Sequence, residues 1–242
     1  TKDQILALVE QYVHETENEN WIEGEDWVAY SGPVLGSEEF TAAIDVLLGR
    51  WLIFGQNARK FELEFPELMG TKFGIFTNSG SSANLLMVSA LRSKNLYNLP
   101  KGSKIITPVV CFPTTVNPII QNGFTPVFVD VTLPDLNLDL DQVEEILKND
   151  TNREIKALIF AHVQGNPPDM DRVMKLVDEY DLIFLEDCCD ALGSTYDGKK
   201  LGSFGHISTC SFFPAHHMTM GEGGFVSTND YKSRKVIASL RD

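Results

Sequence analysis

From Lys72 onward, short and almost wholly apolar runs alternate with amphipathic stretches of helical period, and this alternation restricts the chain to one class of architecture. KFGIFTNS, SKIITPVV, TPVFVDV, IKALIFAHV, DLIFLEDCC and GGFVSTN read as strands. SSANLLMVSALRS, PTTVNPIIQNG, Leu140–Leu147 and DMDRVMKLVDEY read as the helices between them, and a last short helix begins at Asp230. Strands that are apolar on both faces must be covered on both faces. The pattern therefore predicts an α/β fold, with a mixed but mostly parallel sheet sandwiched by helices. Ligands of such sheets bind beyond the carboxyl ends of the strands. There is no internal repeat or low-complexity tract.

The first part of the chain is different. Asp3 to Val13 carries Ile5, Leu8, Val9 and Tyr12 at helical spacing. Thr16 to Ser37 is irregular and holds Trp21, Trp27, Tyr30 and Pro33, the composition of an extended arm laid on a partner surface. Two more helices are predicted, over Ser37–Arg50 and Asn57–Met69. We expect residues 1–36 to form a helix and arm, and residues 37–242 a large domain. The sequence stops soon after the helix that begins at Asp230, as the ordered or expressed part of a longer protein would.

Charge and cysteine usage narrow the setting. A formal net charge of -14 repels polyanions at long range, which argues against nucleic acid and anionic membrane as partners. A phosphorylated small ligand remains possible, because it answers to local amides. No run approaches the roughly 20 apolar residues that span a bilayer, and the acidic amino terminus does not read as a signal peptide. Cys111, Cys188, Cys189 and Cys210 do not have the spacing of a disulfide scaffold, so a reducing cytoplasm is expected.

The conspicuous polar clusters all fall at predicted strand ends. Ser79-Gly80-Ser81-Ser82-Ala83-Asn84 lies between a strand and a helix, either as an anion cradle of uncovered N–H groups or as a plain N-cap. Glu186-Asp187 ends the strongest buried strand. A carboxylate there binds a cation or a protonated heteroaromatic nitrogen, or it makes a structural salt bridge. Cys188 and Cys189 follow, as small buried side chains or as ligands. Phe112 is either a ring over a planar ligand or core packing. His162 ends a strand, facing a ligand or backbone. His216 and His217 lie in SFFPAHHMTMGEGG, a loop where an imidazole can move a proton near neutrality.

Five ordered blocks, TNSGSSANLL, FPTTVNPIIQNGFTPVFVDV, IFAHVQGN, LEDCCDALGSTYDGKKLGSFGHIS and SFFPAHHMTMGEGG, together resemble the sugar aminotransferase and dehydrase family. Its members use vitamin B6 cofactors on the aspartate aminotransferase fold, known as fold type I. The resemblance implies that this chain is the large domain of that fold, with the small C-terminal domain outside it. It matches Gly80, Ser81, Ser82 and Ser211 to phosphate contacts, Asp187 to the partner of the pyridine nitrogen, and Phe112 to the ring stacked on the cofactor. His216 falls where aminotransferases carry the lysine that tethers the cofactor, a replacement that marks the dehydrases. Cys189 matches one of four cysteines that hold a [2Fe–2S] cluster, the other three lying beyond Asp242. His162 and His217 are possible auxiliary groups.

The activity so implied is dehydration at C3 of CDP-4-keto-6-deoxy-D-glucose, with pyridoxamine 5′-phosphate (PMP, the amine form of pyridoxal phosphate) bound without a tether. His216 would remove a proton from the cofactor's C4′ carbon as the C3 hydroxyl leaves as water. An NAD(P)H-dependent iron–sulfur flavin reductase would then complete deoxygenation toward a 3,6-dideoxyhexose of lipopolysaccharide, and a homodimer is expected. Two rivals differ. One is an iron-free GDP-4-keto-6-deoxy-D-mannose 3-dehydratase, from which Cys188-Cys189 leans away; the other is a noncatalytic scaffold of the same fold.

Overall fold

The computed structural model describes residues 1–16, 21–28 and 31–242. They form two compact units, Thr1–Arg59 and Lys60–Asp242. In the first unit, helices α1 (Lys2–Thr16) and α2 (Ser37–Leu48) pack on one another. The Glu39 carboxylate accepts a hydrogen bond from the Gly36 N–H at 2.7 Å and so caps α2. The boundary expected between residues 36 and 37 thus falls inside a compact unit, because α2 supplies the apolar face against which α1 rests. Of the arm expected over Thr16–Ser37, Tyr30 lies outside the described residues, while Trp21 and Trp27 are exposed. Helix α3 (Gln56–Leu68) follows.

In the second unit, seven strands make one sheet in the order β1-β9-β8-β5-β4-β2-β3. They are β1 (Phe73–Thr77), β2 (Lys104–Pro108), β3 (Thr125–Val129), β4 (Ile155–Ala161), β5 (Ile183–Asp187), β8 (Ile207–Ser211) and β9 (Gly224–Thr228). The strands from β8 through β3 are parallel; β9 runs antiparallel to both its neighbours, β1 and β8. A two-stranded hairpin, β6 (Thr195–Tyr196) with β7 (Lys199–Lys200), stands apart. It turns at Asp197 and Gly198, both at positive φ, an Asp-Gly signal that the reading of the sequence passed over.

Alternation along the strands sorts the core onto two faces. Ile105, Ile159, Leu185 and Val226 point to helices α4 (Gly80–Ala90), α5 (Pro113–Gln121) and α8 (Tyr231–Arg241). Ile106, Leu158, Phe160 and Phe184 point to α6 (Leu140–Asn149) and α7 (Met170–Tyr180). Each such buried Ile, Leu or Phe contributes about 1.5–3 kcal/mol relative to exposure, which is why the apolar runs become central strands. Asp139 and Asp169 cap α6 and α7 through side-chain oxygens. A third cluster, with Phe61, Phe65, Phe212 and Phe225 meeting at ring centroids of 4.8–5.6 Å, supports the chain where it leaves β8. Among the described residues no helix is long and apolar enough to cross a membrane.

The carboxyl ends of β1, β8 and β5 lie along one edge of the sheet, and β9 begins there, with Gly224 paired to both Thr77 and Ser211. A Cβ on Gly224 would lie 2.1 Å from the Ser79 carbonyl oxygen and 2.6 Å from Thr77 Oγ1. The Gly224→Ala variant is expected to lose about 1–3 kcal/mol of stability through this overlap. Urea denaturation checks it; an unchanged midpoint would show that the edge is loosely packed.

Candidate active site

Helix α4 starts where β1 ends. The Ser79 hydroxyl accepts from the Ser82 N–H at 3.1 Å, and its carbonyl receives the first helical bond from Ala83 at 3.0 Å. The Gly80 and Ser81 N–H groups have no acceptor among the described residues, so cap and anion cradle coexist. Glycine is required at position 80, since a Cβ there would come within 2.5 Å of the Ser211 Cβ and 3.2 Å of the Cys189 sulfur. Ser211, at the end of β8, is thereby brought against the helix start. From α5 the Thr114 hydroxyl reaches that of Ser81 at 3.4 Å, a neighbour the sequence did not single out.

Asp187 ends β5 and is only 3% exposed. Its Oδ2 accepts from Asn84 Nδ2 and from the Thr115 hydroxyl, both at 2.8 Å, and its Oδ1 from the Cys189 N–H at 3.2 Å. The Thr209 hydroxyl donates to Asn84 Oδ1 at 2.6 Å, which turns the Asn84 amide so that its nitrogen faces the carboxylate. All these donors are neutral, and among the described residues no cationic side chain pairs with Asp187. The bonds that tie Asn84 and Thr115 to Asp187, and Thr209 to Asn84, were not legible in the sequence. Phe112, the residue before α5, is 67% exposed, so its ring is not core packing.

The other carboxylate of the pair faces the opposite way. Glu186 accepts from the Gly202 N–H at 2.8 Å, the Gly205 N–H at 2.5 Å and His162 Nε2 at 3.2 Å. Its parity along β5 puts it on the side of α6 and α7, with Phe184. His162 is wholly buried and lies 5.1 Å from the Phe160 ring on that same side. The auxiliary role considered for His162 is therefore not supported by its position: it faces away from Asp187. Cys188 lies close enough to complete a triangle with His162 and Glu186. The carboxylate is already spent on two backbone N–H groups, and burial pushes the Cys188 thiol well above its ordinary range. The triangle clamps the 202–205 turn to the sheet.

Past Ser211 the chain forms a loop closed at its base by Phe212, whose N–H donates to the Gly223 carbonyl at 2.9 Å and whose carbonyl accepts from Met220 at 3.0 Å. His216 Nδ1 lies 3.1 Å from Asp190 Oδ1. The His216 side chain is 20% exposed, whereas His217 is an exposed residue without such a partner among the described residues. The hydrogen bond to His216 holds the Asp190 carboxyl below the usual carboxylate range, with further attraction from the charges of His216 and His217. Asp190 was missed in the sequence, where it is one more acid in a turn.

Residues 33–242 match the DegT/DnrJ/EryC1/StrS aminotransferase family. The chain belongs to this family. Among its family relatives, the lipopolysaccharide biosynthesis protein RfbH of Salmonella typhimurium is 43% identical over 244 residues, covering 100% of this chain and 55% of that protein. The dTDP-4-dehydro-2,6-dideoxy-D-glucose 3-dehydratase of Saccharopolyspora spinosa is 42% identical, covering 100% and 52%. The structure of the E. coli GDP-4-keto-6-deoxy-D-mannose-3-dehydratase with bound hydrated PLP superposes with a TM-score of 0.81 at 32% identity, over 89% of this chain and 55% of that one. The fold is thus that of the PLP-dependent aminotransferases, as the sequence led us to expect. The chain spans about half the length of the curated relatives it matches.

The arrangement fits the family's vitamin B6 cofactor. A glycine whose Cβ would strike Ser211 opens the amide cradle, a buried carboxylate has no cationic partner among the described residues, and an exposed ring stands at the head of α5, whose Thr115 bonds that carboxylate. A [2Fe–2S] cluster is a different case. Among the described residues the four cysteines do not converge: Cys188 and Cys210 are in the aromatic core, and burial pushes the Cys210 thiol up to about 12. Burial next to Asp187 also raises the Cys189 thiol. This chain by itself does not hold the cluster.

Burial, with the Asp187 charge adding to it, pushes the Cys111 thiol up to about 11. Thiolate is the reactive form, so alkylation of Cys111 by iodoacetamide is expected to be slow near neutrality and to rise about tenfold per pH unit between roughly pH 8 and 10. Mass spectrometry of labelled protein checks this. A plateau beginning near pH 9 would contradict the buried environment.

Proposed function

We propose that the protein carrying this chain is a PMP-dependent nucleotide-sugar 3-dehydrase, removing the C3 hydroxyl of a 4-keto-6-deoxyhexose. The observation that carries this reading is the loop after β8. It offers an imidazole held by Asp190 and contains no lysine between Phe212 and Gly223, while the phosphate cradle and the Asp187 carboxylate are intact. A catalyst that kept its cofactor pocket and gave up the tethering amine is suited to hold the cofactor in its free amine form.

When bound, the cofactor supplies an amine for the sugar ketone and a conjugated ring that accepts electrons. The chain supplies the rest. The N–H groups of Gly80 and Ser81, with the hydroxyls of Ser81, Ser82 and Ser211, hold the phosphate. Asp187 keeps the ring nitrogen protonated, because its buried charge gains a partner only in that state. Phe112 covers one face of the ring and excludes water. His216, an imidazole on a loop closed at its base, would take the proton from the C4′ carbon. His217 lacks the partner that would aim it.

Finer assignments rest on the resemblance in the sequence and on the relatives' names. We take CDP-4-keto-6-deoxy-D-glucose as the substrate, and a 3,6-dideoxyhexose for lipopolysaccharide as the outcome. Electrons would come from an NAD(P)H-dependent iron–sulfur flavin reductase through a [2Fe–2S] cluster, with Cys189 as one ligand and the others outside this sequence. Four free cysteines agree with a reducing cytoplasm. Large apolar side chains exposed in the first unit, Trp27 and Val34 among them, agree with a homodimer.

In the full-length protein, His216→Lys is expected to lower dehydration at least about 100-fold and to produce a new absorbance band from covalently tethered cofactor. Undiminished turnover would sink the role of His216. Iron and acid-labile sulfide analysis of the same protein decides the cluster, and finding neither would leave an iron-free dehydratase.

A further inference from the structure

His216 Nδ1 and Asp190 Oδ1 are 3.1 Å apart, and this contact has a consequence for the other ring nitrogen. An ionised carboxylate only accepts hydrogen bonds, so the nitrogen facing Asp190 must carry a hydrogen. A neutral imidazole has one N–H. Its Nε2 is therefore bare and able to take a proton. We propose that Asp190 is a positioning residue that selects this tautomer and aims the Nε2 lone pair of His216 at the reacting carbon. The inference rests on His216 being the base.

The two partners come from separate, anchored pieces of backbone. Asp190 lies in the turn that leaves β5, where the Ala191 N–H donates to the Cys188 carbonyl at 3.1 Å and the Ser194 N–H to the Ala191 carbonyl at 3.0 Å. That turn is continuous with Asp187, so the residue that steers the base and the residue facing the ring nitrogen share one rigid strand end. His216 is fixed on the opposite side by its own N–H, which donates to the Phe213 carbonyl at 3.0 Å. The backbone bond holds the loop, and the contact with Asp190 sets which ring nitrogen faces the turn. The same charge stabilises the imidazolium that forms once the proton has moved. His217 is adjacent but exposed and has no comparable contact among the described residues. The pairing thus also separates the two histidines functionally. A loop brace that only ties two turns together would not need the carboxylate to be charged, since an amide of the same shape would serve.

The test uses the full-length protein loaded with pyridoxamine phosphate. In the wild type, 15N NMR should show His216 with Nε2 unprotonated. Asp190→Asn should swap or mix the tautomers, lower kcat by about 100-fold or more, and leave KM and cofactor affinity within about threefold. Asp190→Glu, which restores the charge on a longer arm, should recover part of kcat. A wild-type ring protonated at Nε2 overturns the proposal even if both Asp190 variants fail to fold. So does an Asp190→Asn enzyme with normal kcat, or one that loses kcat with its tautomer unaltered. A His216→Asn enzyme that keeps full activity is a separate outcome: it removes the base itself, and with it the reading of the site on which Asp190 acts.

Discussion

Burying a carboxylate without a cation is costly, and Asp187 is tolerated because three neutral donors arrive from three parts of the chain. Asn84 comes from α4, Thr115 from α5, and the Cys189 N–H from the turn after β5. Those bonds draw both helix starts to the end of the central strand. The α4 cradle, Phe112 at the head of α5 and the turn with Asp190 then take their places around one point. Remove the carboxylate and its donors become orphans, with Asn84 still committed to Thr209. Neutral donors stabilise the anion without cancelling it, which leaves its charge uncompensated at the end of β5.

Close approach of backbone does the same work at the start of α4. Gly80 and Gly224 are two positions in this corner where a side chain would strike the opposing chain. Through them, the start of α4, the end of β8 and the start of β9 pack into one corner. The aromatic cluster of Phe61, Phe65, Phe212 and Phe225 fills the space behind it.

Much of the fold was legible because strands buried on both faces cannot be anything but apolar, and helices covering them must keep one apolar stripe. Strand ends then singled out Gly80, Phe112 and Asp187 as candidates, and the family resemblance added Ser211. The partners of Asp187 were not legible: Asn84, Thr115 and Thr209 are ordinary polar residues whose meaning depends on which face they point to. The same ambiguity affected the neighbours Glu186 and Asp187, which differ only in parity. Parity also carried His162 to the far side of the sheet. Asp190 was hidden for another reason, since its partner lies 26 residues away (216 − 190) on a loop whose path only the sheet order defines.

The antiparallel insertion of β9 makes the histidine loop a connection between adjacent strands, with both feet paired at Ser211 and Gly224. Its tip can change composition or length without re-registering any strand that holds the cofactor. A fold with such an attachment can exchange an amine for an imidazole, and so one reaction class for another, through local substitutions alone. The imidazole is housed on a span between strands, while Asp187 and the helix-start amides are built into the sheet's edge.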